Sequence, residues 1–136
     1  FSPCDSGKFA GLEARLVRAT LTGFIDVVLR AEGRYWVVDY KTNHLGDDPD
    51  DYGPVALRWA MEHGDYVLQA ALYSLALHRH LRGTLPGYDP EEHFGGVRYL
   101  FLRGMRPERG AERGVFGFRP SVAWMDAWDR RLGGGR

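Results

Sequence analysis

The spacing of hydrophobic positions changes along this chain, and each spacing predicts a different element. Residues 14–30, rich in Val, Leu, Thr, Phe and Ile, predict a strand with a break at Gly23, and residues 34–41 predict a second strand. Residues 31–33, "AEG", have the composition of a tight turn, so the two strands are predicted to form a hairpin. The acidic, proline-containing stretch "GDDPDDYG" predicts the loop that follows.

Helical spacing begins after this loop. Pro54 suits the first turn of a helix that runs to about His63, with Gly64 as its end. Asp65 is predicted to cap a longer helix, "YVLQAALYSLALHRHLR", which ends before Gly83. Two consecutive helices are therefore expected between the hairpin and the rest of the chain.

The last third of the chain returns to strands and ends in a helix. "GTLPGYDPEE" predicts a loop, and "FGGVRYLFLRG" alternates polar and apolar residues as an exposed-edge or half-buried strand does. "VFGFR" predicts a short strand, and Ser121 can cap a terminal helix that contains Trp124 and Trp128. The order strand, strand, helix, helix, strand, strand, helix predicts an α/β domain with a mixed sheet.

Length and composition are typical of one globular domain. The 136 residues are 44% hydrophobic and 26% charged, so we expect residues 1–136 to form a single domain in which residues 1–14 are loosely ordered. No apolar run approaches the roughly 20 residues that span a membrane, and the first residues lack the pattern of a secretory signal. The single cysteine, Cys4, excludes an internal disulfide and a cysteine-built metal cluster. We therefore expect a cytoplasmic protein without a membrane partner.

The net charge of +0 hides an uneven distribution. Residues 44–66 are strongly acidic, whereas the segment from residue 97 onward has an excess of arginine. A basic segment can attract phosphate backbones, although a solvated surface explains the same pattern. Every basic residue except Lys8 and Lys41 is an arginine. A lysine close to a strand aspartate indicates a position that requires a compact ammonium rather than a planar guanidinium.

Two aspartates lie within the predicted hairpin. Asp39 and Lys41 point to the same face, because side chains alternate along a strand. A register in which paired residue numbers sum to 65 puts Asp26 directly opposite Asp39, with their Cβ atoms roughly 5 Å apart. A three-residue turn with Gly33 as a bulge would shift the sum to 64 and turn Asp39 to the other face, so both registers stay open.

Facing carboxylates repel each other unless a cation or a proton lies between them. Mg²⁺ prefers oxygen ligands, and a lysine near its outer sphere can orient an attacking water, so the constellation suits phosphodiester hydrolysis. The competing interpretation is two strand-end aspartates, with Lys41 in a surface ion pair. Val37 and Val38 fill both faces of the strand and argue against such exposure.

Three ordered blocks of this chain resemble a known family. "GFID" followed by "WVVDYKTNHLG" is similar to the nuclease core of the PD-(D/E)XK superfamily. "LQAALYSLALHRHL" and "EEHFGGVRYLFLRG" are similar to the next helix and strand in the C-terminal nuclease domain of the RecB family, a subunit of bacterial exodeoxyribonuclease V. The resemblance covers residues 21–103 and implies a restriction-endonuclease-like fold, in which helices flank a mixed central sheet.

The resemblance also implies a Mg²⁺-dependent deoxyribonuclease. Asp26, Asp39 and the main-chain carbonyl of Tyr40 would be the metal ligands, and Lys41 would be the catalytic lysine. DNA would be the substrate, RecC-like and RecD-like subunits the partners, and a recombinase a further partner. The setting implied is double-strand break processing and recombinational repair.

Gln69 and Tyr73 match the glutamine and tyrosine of the family's helix. Being four residues apart, they share a helix face, and the resemblance implies that both lie beside the site and its DNA. Without the resemblance, a core tyrosine and a solvent-facing glutamine would be the simpler interpretation. Trp36 and Tyr40 alternate on the face opposite Asp39, where we expect core side chains.

The chain departs from the family pattern in two places. The family has a histidine and a glutamate upstream of "GFID", but no histidine precedes His44 and nothing around Glu13 resembles the glutamate's segment. We therefore expect a truncated domain that lacks part of its metal shell. No GxxxxGK[ST] phosphate loop is present, so ATP-driven unwinding would belong to other sequence. His44 follows the strand of Asp39, and a surface loop position is its simplest interpretation.

Two alternatives to a RecB-type nuclease stay open. One is a catalytically silent nuclease-like module that guides DNA or docks partner subunits, although such a module has no need to keep Asp26, Asp39 and Lys41. The other is a stand-alone PD-(D/E)XK exonuclease, although the two blocks after Lys41 favour the RecB family.

Overall fold

A computed structural model describes residues 25–108 and 113–133 of the chain. The elements are β1 Val27–Ala31, β2 Arg34–Lys41, α1 Pro54–His63, α2 Tyr66–Thr84, α3 Pro90–His93, β3 Phe94–Phe101, β4 Val115–Phe118 and α4 Val122–Arg131. Short 3₁₀ turns occupy Pro49–Tyr52 and Leu102–Gly104. Within these described ranges, no helix is both long enough and apolar enough to span a membrane.

The hairpin of β1 and β2 has the register in which paired residue numbers sum to 65. Val27 pairs with Val38, and the antiparallel ladder continues without a bulge to the turn. Both turn residues, Glu32 and Gly33, have positive φ angles of 54° and 75°, as two-residue hairpin turns of the primed type require. The turn therefore fixes the register that brings Asp26 to the level of Asp39.

The four strands form one mixed sheet in the order β1-β2-β3-β4. β2 and β3 are parallel, whereas the two outer pairs are antiparallel. This sheet with its flanking helices confirms the expected α/β class. Of the two alternatives for "FGGVRYLFLRG", the exposed edge is wrong, because β3 has a strand on each side. The half-buried strand is confirmed by the alternation of buried and partly buried residues from Val97 to Phe101.

The core lies between this sheet and the helices. Val97, Tyr99 and Phe101 of β3 are fully buried, and α2 crosses the sheet face to which they point, with α1 and α4 packed beside it. Residues 70–81 of α2 supply much of the opposing surface, which is mostly Ala and Leu. Burial of these apolar side chains positions α2 over the strands that carry the aspartates.

Two predicted boundaries of α2 are wrong. Asp65 precedes the helix but makes no side-chain cap, because its backbone is left-handed (φ 57°) rather than extended. The helix also passes through Gly83 and ends at Thr84, since the amide of Leu85 still bonds to the carbonyl of Leu81. The predicted bounds of α1 and the cap of α4 by Ser121 are confirmed.

Two predicted loops contain short helical turns. In "GDDPDDYG", the side chain of Asp48 caps a 3₁₀ turn and Asp51 bonds back to the amide of Asp48, which is a capping box. In "GTLPGYDPEE", Asp89 caps α3. The predictions made for residues 1–14 and for the strand up to residue 24 lie outside the described residues.

A group of polar and charged side chains, two of them buried, joins α2 to α4. Asp129 is only 2% exposed and accepts hydrogen bonds from Arg79 and Arg82. His78, fully buried, lies 3.1 Å from the Oδ1 atom of Asp126. Buried charges are tolerated when they are paired and hydrogen-bonded. His78 is therefore part of the helix packing.

Candidate active site

Asp39 lies on an inner strand of the sheet, near the C-terminal end of that strand. It lies on β2, pairs in register with Tyr99 of β3, and is only 3% exposed. Its neighbours Val37 and Val38 are buried on the two faces of the same strand, so the strand is forced into the interior and carries the aspartate with it. An aspartate in such a place requires a charged or hydrogen-bonding partner.

Asp26 lies immediately before β1. One more pair beyond Val27 and Val38 in the observed register puts Asp26 at the level of Asp39 and on the same face. Its Oδ2 atom accepts a hydrogen bond of 3.1 Å from the amide of Tyr40. The hairpin therefore presents both carboxylates at the same end of the sheet, one buried and one exposed.

Lys41 points towards Asp39. The distance between Lys41 Nζ and Asp39 Oδ1 is 2.7 Å, and the lysine side chain is only 13% exposed. The contact is an ion pair without hydrogen-bond geometry, since Oδ1 of Asp39 is buried and accepts no hydrogen bond among the described residues. Among the described residues, the ammonium of Lys41 is therefore the contact that balances the charge of this buried oxygen.

Gln69 and Tyr73 lie beside this ion pair on the inner face of α2. The Oε1 atom of Gln69 accepts from Lys41 Nζ at 3.3 Å, and its Nε2 atom donates to the hydroxyl of Tyr73 at 3.0 Å. Burial raises the pKa of the Tyr73 hydroxyl, and the charges of Asp39 and Asp26 raise it further. Tyr73 therefore stays neutral, and both carboxylates lie close enough to raise the pKa of its hydroxyl.

Two tyrosines belong to the same group although the sequence did not single them out. The hydroxyl of Tyr99 donates to Gln69 Oε1 at 3.0 Å, and the ring of Tyr66 lies 4.1 Å from Lys41 Nζ. Burial raises the pKa of Tyr99, with Asp39 adding to the effect. Two signals were available: Tyr99 lies in the third block of the resemblance, and Tyr66 is one helical turn before Gln69.

Other residues considered from sequence lie elsewhere. His44 is exposed and pairs with Asp47 at 3.0 Å, as a surface loop residue does. The expectation that Tyr40 is a core residue is wrong: its side chain is 46% exposed, because it extends past the end of β1. Trp36 is partly buried under the guanidinium of Arg98, 4.4 Å from its ring.

The oxygen atoms gathered here suit a hard cation. No group of three or more His, Cys, Asp or Glu side chains that could hold a metal ion occurs among the described residues. Asp26 and Asp39 nevertheless provide two carboxylates at one end of the sheet, and Oδ1 of Asp39 lacks a hydrogen bond there. A divalent cation at this point would complete its shell with main-chain oxygen and water.

The profile of the PD-(D/E)XK nuclease superfamily matches residues 4–132. The chain belongs to this superfamily. The mixed sheet flanked by helices agrees with that membership, and PD-(D/E)XK nucleases generally depend on a divalent metal ion.

The chain is also similar to curated proteins named RecBCD enzyme subunit RecB. It is 46% identical over 134 residues to the protein of Escherichia coli, 50% over 133 residues to that of Mycobacterium tuberculosis, and 47% over 118 residues to that of Haemophilus influenzae. These matches cover 98%, 93% and 87% of this chain but only 11%, 12% and 10% of the relatives. The expected resemblance to the RecB family is confirmed, and the chain spans about a tenth of the length of these relatives.

Proposed function

We propose that this chain is the Mg²⁺-dependent deoxyribonuclease domain of a RecB-like helicase–nuclease of the exodeoxyribonuclease V type. It would hydrolyse DNA phosphodiester bonds during double-strand break processing and recombinational repair. The observation that carries the proposal is the buried carboxylate of Asp39, 2.7 Å from the ammonium of Lys41, at the sheet end where Asp26 lies. Membership of the nuclease superfamily and the similarity to RecB subunits support it.

The residues present fit Mg²⁺. Asp26 and Asp39 offer carboxylate oxygens, and the buried Oδ1 of Asp39 lacks a hydrogen bond within the described part of the chain. Tyr40 donates its amide to Asp26, and the N–H and C=O of one strand residue point to the same side, so its carbonyl is a suitable further ligand. Bound there, Mg²⁺ would supply charge neutralisation on a phosphate and a more acidic water.

Lys41, Gln69 and Tyr73 would orient the attacking water and stabilise charge at the phosphate. The ammonium can orient an attacking water and offset the negative charge that grows on the phosphate in the transition state. Gln69 accepts a hydrogen bond of 3.3 Å from this ammonium and so helps to hold it in place. Tyr73, neutral because of its raised pKa, adds no negative charge next to a DNA backbone.

Partners follow from the relatives. Because these are named as subunits of the RecBCD enzyme, we propose that RecC-like and RecD-like subunits bind the protein that carries this chain. A recombinase is a further proposed partner. The arginine-rich segment after residue 97 is a suitable surface for DNA or for a neighbouring subunit.

A second candidate function is a nuclease-like module without chemistry. One observation favours it: the described residues hold no cluster of three metal-binding side chains. Such a module would guide DNA or dock subunits, and its function would be indifferent to the ion pair of Asp39 and Lys41. The two candidates therefore differ in how they respond to the loss of either residue.

The test is degradation of linear duplex DNA, with ATP and Mg²⁺, by the full-length protein that carries this chain. We expect Asp39→Ala and Lys41→Ala to lower degradation by at least about a thousandfold while unwinding and thermal stability persist. Asp47→Ala, which removes a carboxylate from an exposed loop, is the matched control and should degrade DNA normally. Degradation that survives both site changes would favour the silent module.

A further inference from the structure

Lys41 lies against two aromatic rings. Its Nζ atom is 4.1 Å from the ring centre of Tyr66 and 5.4 Å from that of Tyr99. The two rings stack on each other, with their centres 6.2 Å apart and their planes 27° from parallel. The ammonium therefore contacts two ring faces as well as the oxygens of Asp39 and Gln69.

Hydrogen bonds hold both rings in place. The hydroxyl of Tyr99, a fully buried residue, donates to Gln69 Oε1 at 3.0 Å and lies 3.3 Å from the carbonyl of Tyr66. The hydroxyl of Tyr66 accepts from the side chain of Asn43, two residues after Lys41, at 3.3 Å. Each ring is thus fixed to the segment that carries the lysine or to its glutamine partner.

The two rings restrict the positions that the ammonium of Lys41 can adopt. An ammonium within about 6 Å of an aromatic ring centre is attracted to the negative face of the ring. Lysine loses much rotamer entropy when it is held in one position. Attraction to the two rings, added to the contacts with Asp39 and Gln69, offsets part of that cost and favours the observed position of Lys41.

We infer that Tyr66 and Tyr99 form a cation–π seat that positions Lys41 for catalysis. This inference rests on the proposed function, because positioning Lys41 matters for cleavage only if Lys41 acts at the phosphate. Tyr66 and Tyr99 are positioning residues that act through Lys41. Their alternative role is packing, because both contact the hydrophobic core.

The negative charge on the face of the aromatic ring distinguishes a cation–π role of Tyr66 from a packing role. Fluorine atoms on a phenylalanine ring weaken its negative face while changing its size little, so a packing role is almost insensitive to them. Position 66 is suitable because its side chain is only partly buried. The full-length protein that carries this chain would contain phenylalanine, or phenylalanine with one, two or three fluorines, in place of Tyr66.

We expect kcat for DNA cleavage to fall stepwise with each fluorine, to about a tenth of the phenylalanine value with three, while KM for DNA stays constant. A kcat that is the same across the series would overturn the seat. Asn43→Ala removes the bond to the Tyr66 hydroxyl without touching the ring, and it should resemble Tyr66→Phe.

The same series at Tyr35 is the matched control. The ring of Tyr35 also lies near a cation, with its centre 5.8 Å from the guanidinium of Arg30. Tyr35 is at the turn end of β2, whereas Lys41 is at the opposite end of that strand, so fluorination of position 35 should leave kcat unchanged. A fall at both positions would overturn the seat, because it would reflect a general effect of fluorination.

Lys41→Ala separates the two proposals: cleavage that persists in it overturns the proposed function and the seat with it. Cleavage lost in Lys41→Ala together with an unchanged series at position 66 overturns the seat alone.

Discussion

Gln69 determines how the polar groups around Lys41 are arranged. Its amide oxygen accepts from both Lys41 and Tyr99, and its amide nitrogen donates to Tyr73. The two ends of an amide are not interchangeable here, since the ammonium of Lys41 can only donate. One side chain on α2 therefore links a lysine on β2 to tyrosines on β3 and α2.

Removing this link should impair cleavage more than stability. In Gln69→Leu, Lys41 loses an acceptor at 3.3 Å, so we expect the rate of DNA cleavage to fall about tenfold, with KM little changed. The measurement is steady-state cleavage by the full-length protein. Leu68→Ala, an exposed change on the same helical turn, serves as the control, and a wild-type rate in Gln69→Leu would contradict this role.

At the residue scale, the sequence predicted the parts of the site that lie on one hairpin. The positions of Asp26, Asp39 and Lys41 follow from strand alternation and a register that the turn fixes. Tyr66 and Tyr99 could not be found in this way, because they reach Lys41 from separate elements. Their approach depends on how α2 packs over the sheet, which no periodicity along the chain encodes.

At the scale of elements, the alternation in β3 correctly predicted a half-buried strand but could not distinguish an edge strand from an inner one. β3 is flanked by β2 and β4, and its fully buried residues alternate with partly buried ones from Val97 to Phe101. The glycines at its start are explained by space: a Cβ on Gly96, whose φ is 115°, would lie 2.6 Å from the carbonyl oxygen of Phe118. A close approach of backbones, which composition alone does not reveal, requires glycine there.

The junction of α2 and α4 predicts a dependence of stability on pH. Partial burial raises the pKa of Asp126, but hydrogen bonds from His78 and Arg82 outweigh it and leave the pKa below its ordinary value of 3.8. A carboxyl whose pKa is lower in the folded than in the unfolded state stabilises the fold above the unfolded value. That contribution is lost as the pH falls through the folded value.

Asp126→Asn should therefore lower the free energy of unfolding at pH 7 by about 1 kcal/mol or less, since the side chain is 36% exposed. The difference from the unchanged chain should shrink below pH 3.8 and vanish once Asp126 is protonated in the folded state. Urea unfolding at pH 7 and at lower pH measures it. Asp47→Asn, which removes the same charge from an exposed loop, controls for net charge, and a difference that grows towards low pH would contradict the assignment.

At the scale of the whole molecule, the order of the predicted strands and helices gave the class of fold, and the resemblance predicted the family. Both agree with the mixed sheet and with the superfamily match over residues 4–132. The chain spans about a tenth of the length of its RecB relatives. What this chain would contribute is the site itself, and that site can be tested without unwinding.

The most direct measurement is cleavage of circular single-stranded DNA by the full-length protein, with Mg²⁺ and without ATP. A circle offers no duplex end to unwind, so any cutting reports on the nuclease site alone. We predict that the unchanged protein cuts the circle only when Mg²⁺ is present, and that Lys41→Ala binds it but does not cut it. Cutting by Lys41→Ala at the unchanged rate would contradict the account, because the ion pair of Asp39 and Lys41 would then have no part in the chemistry.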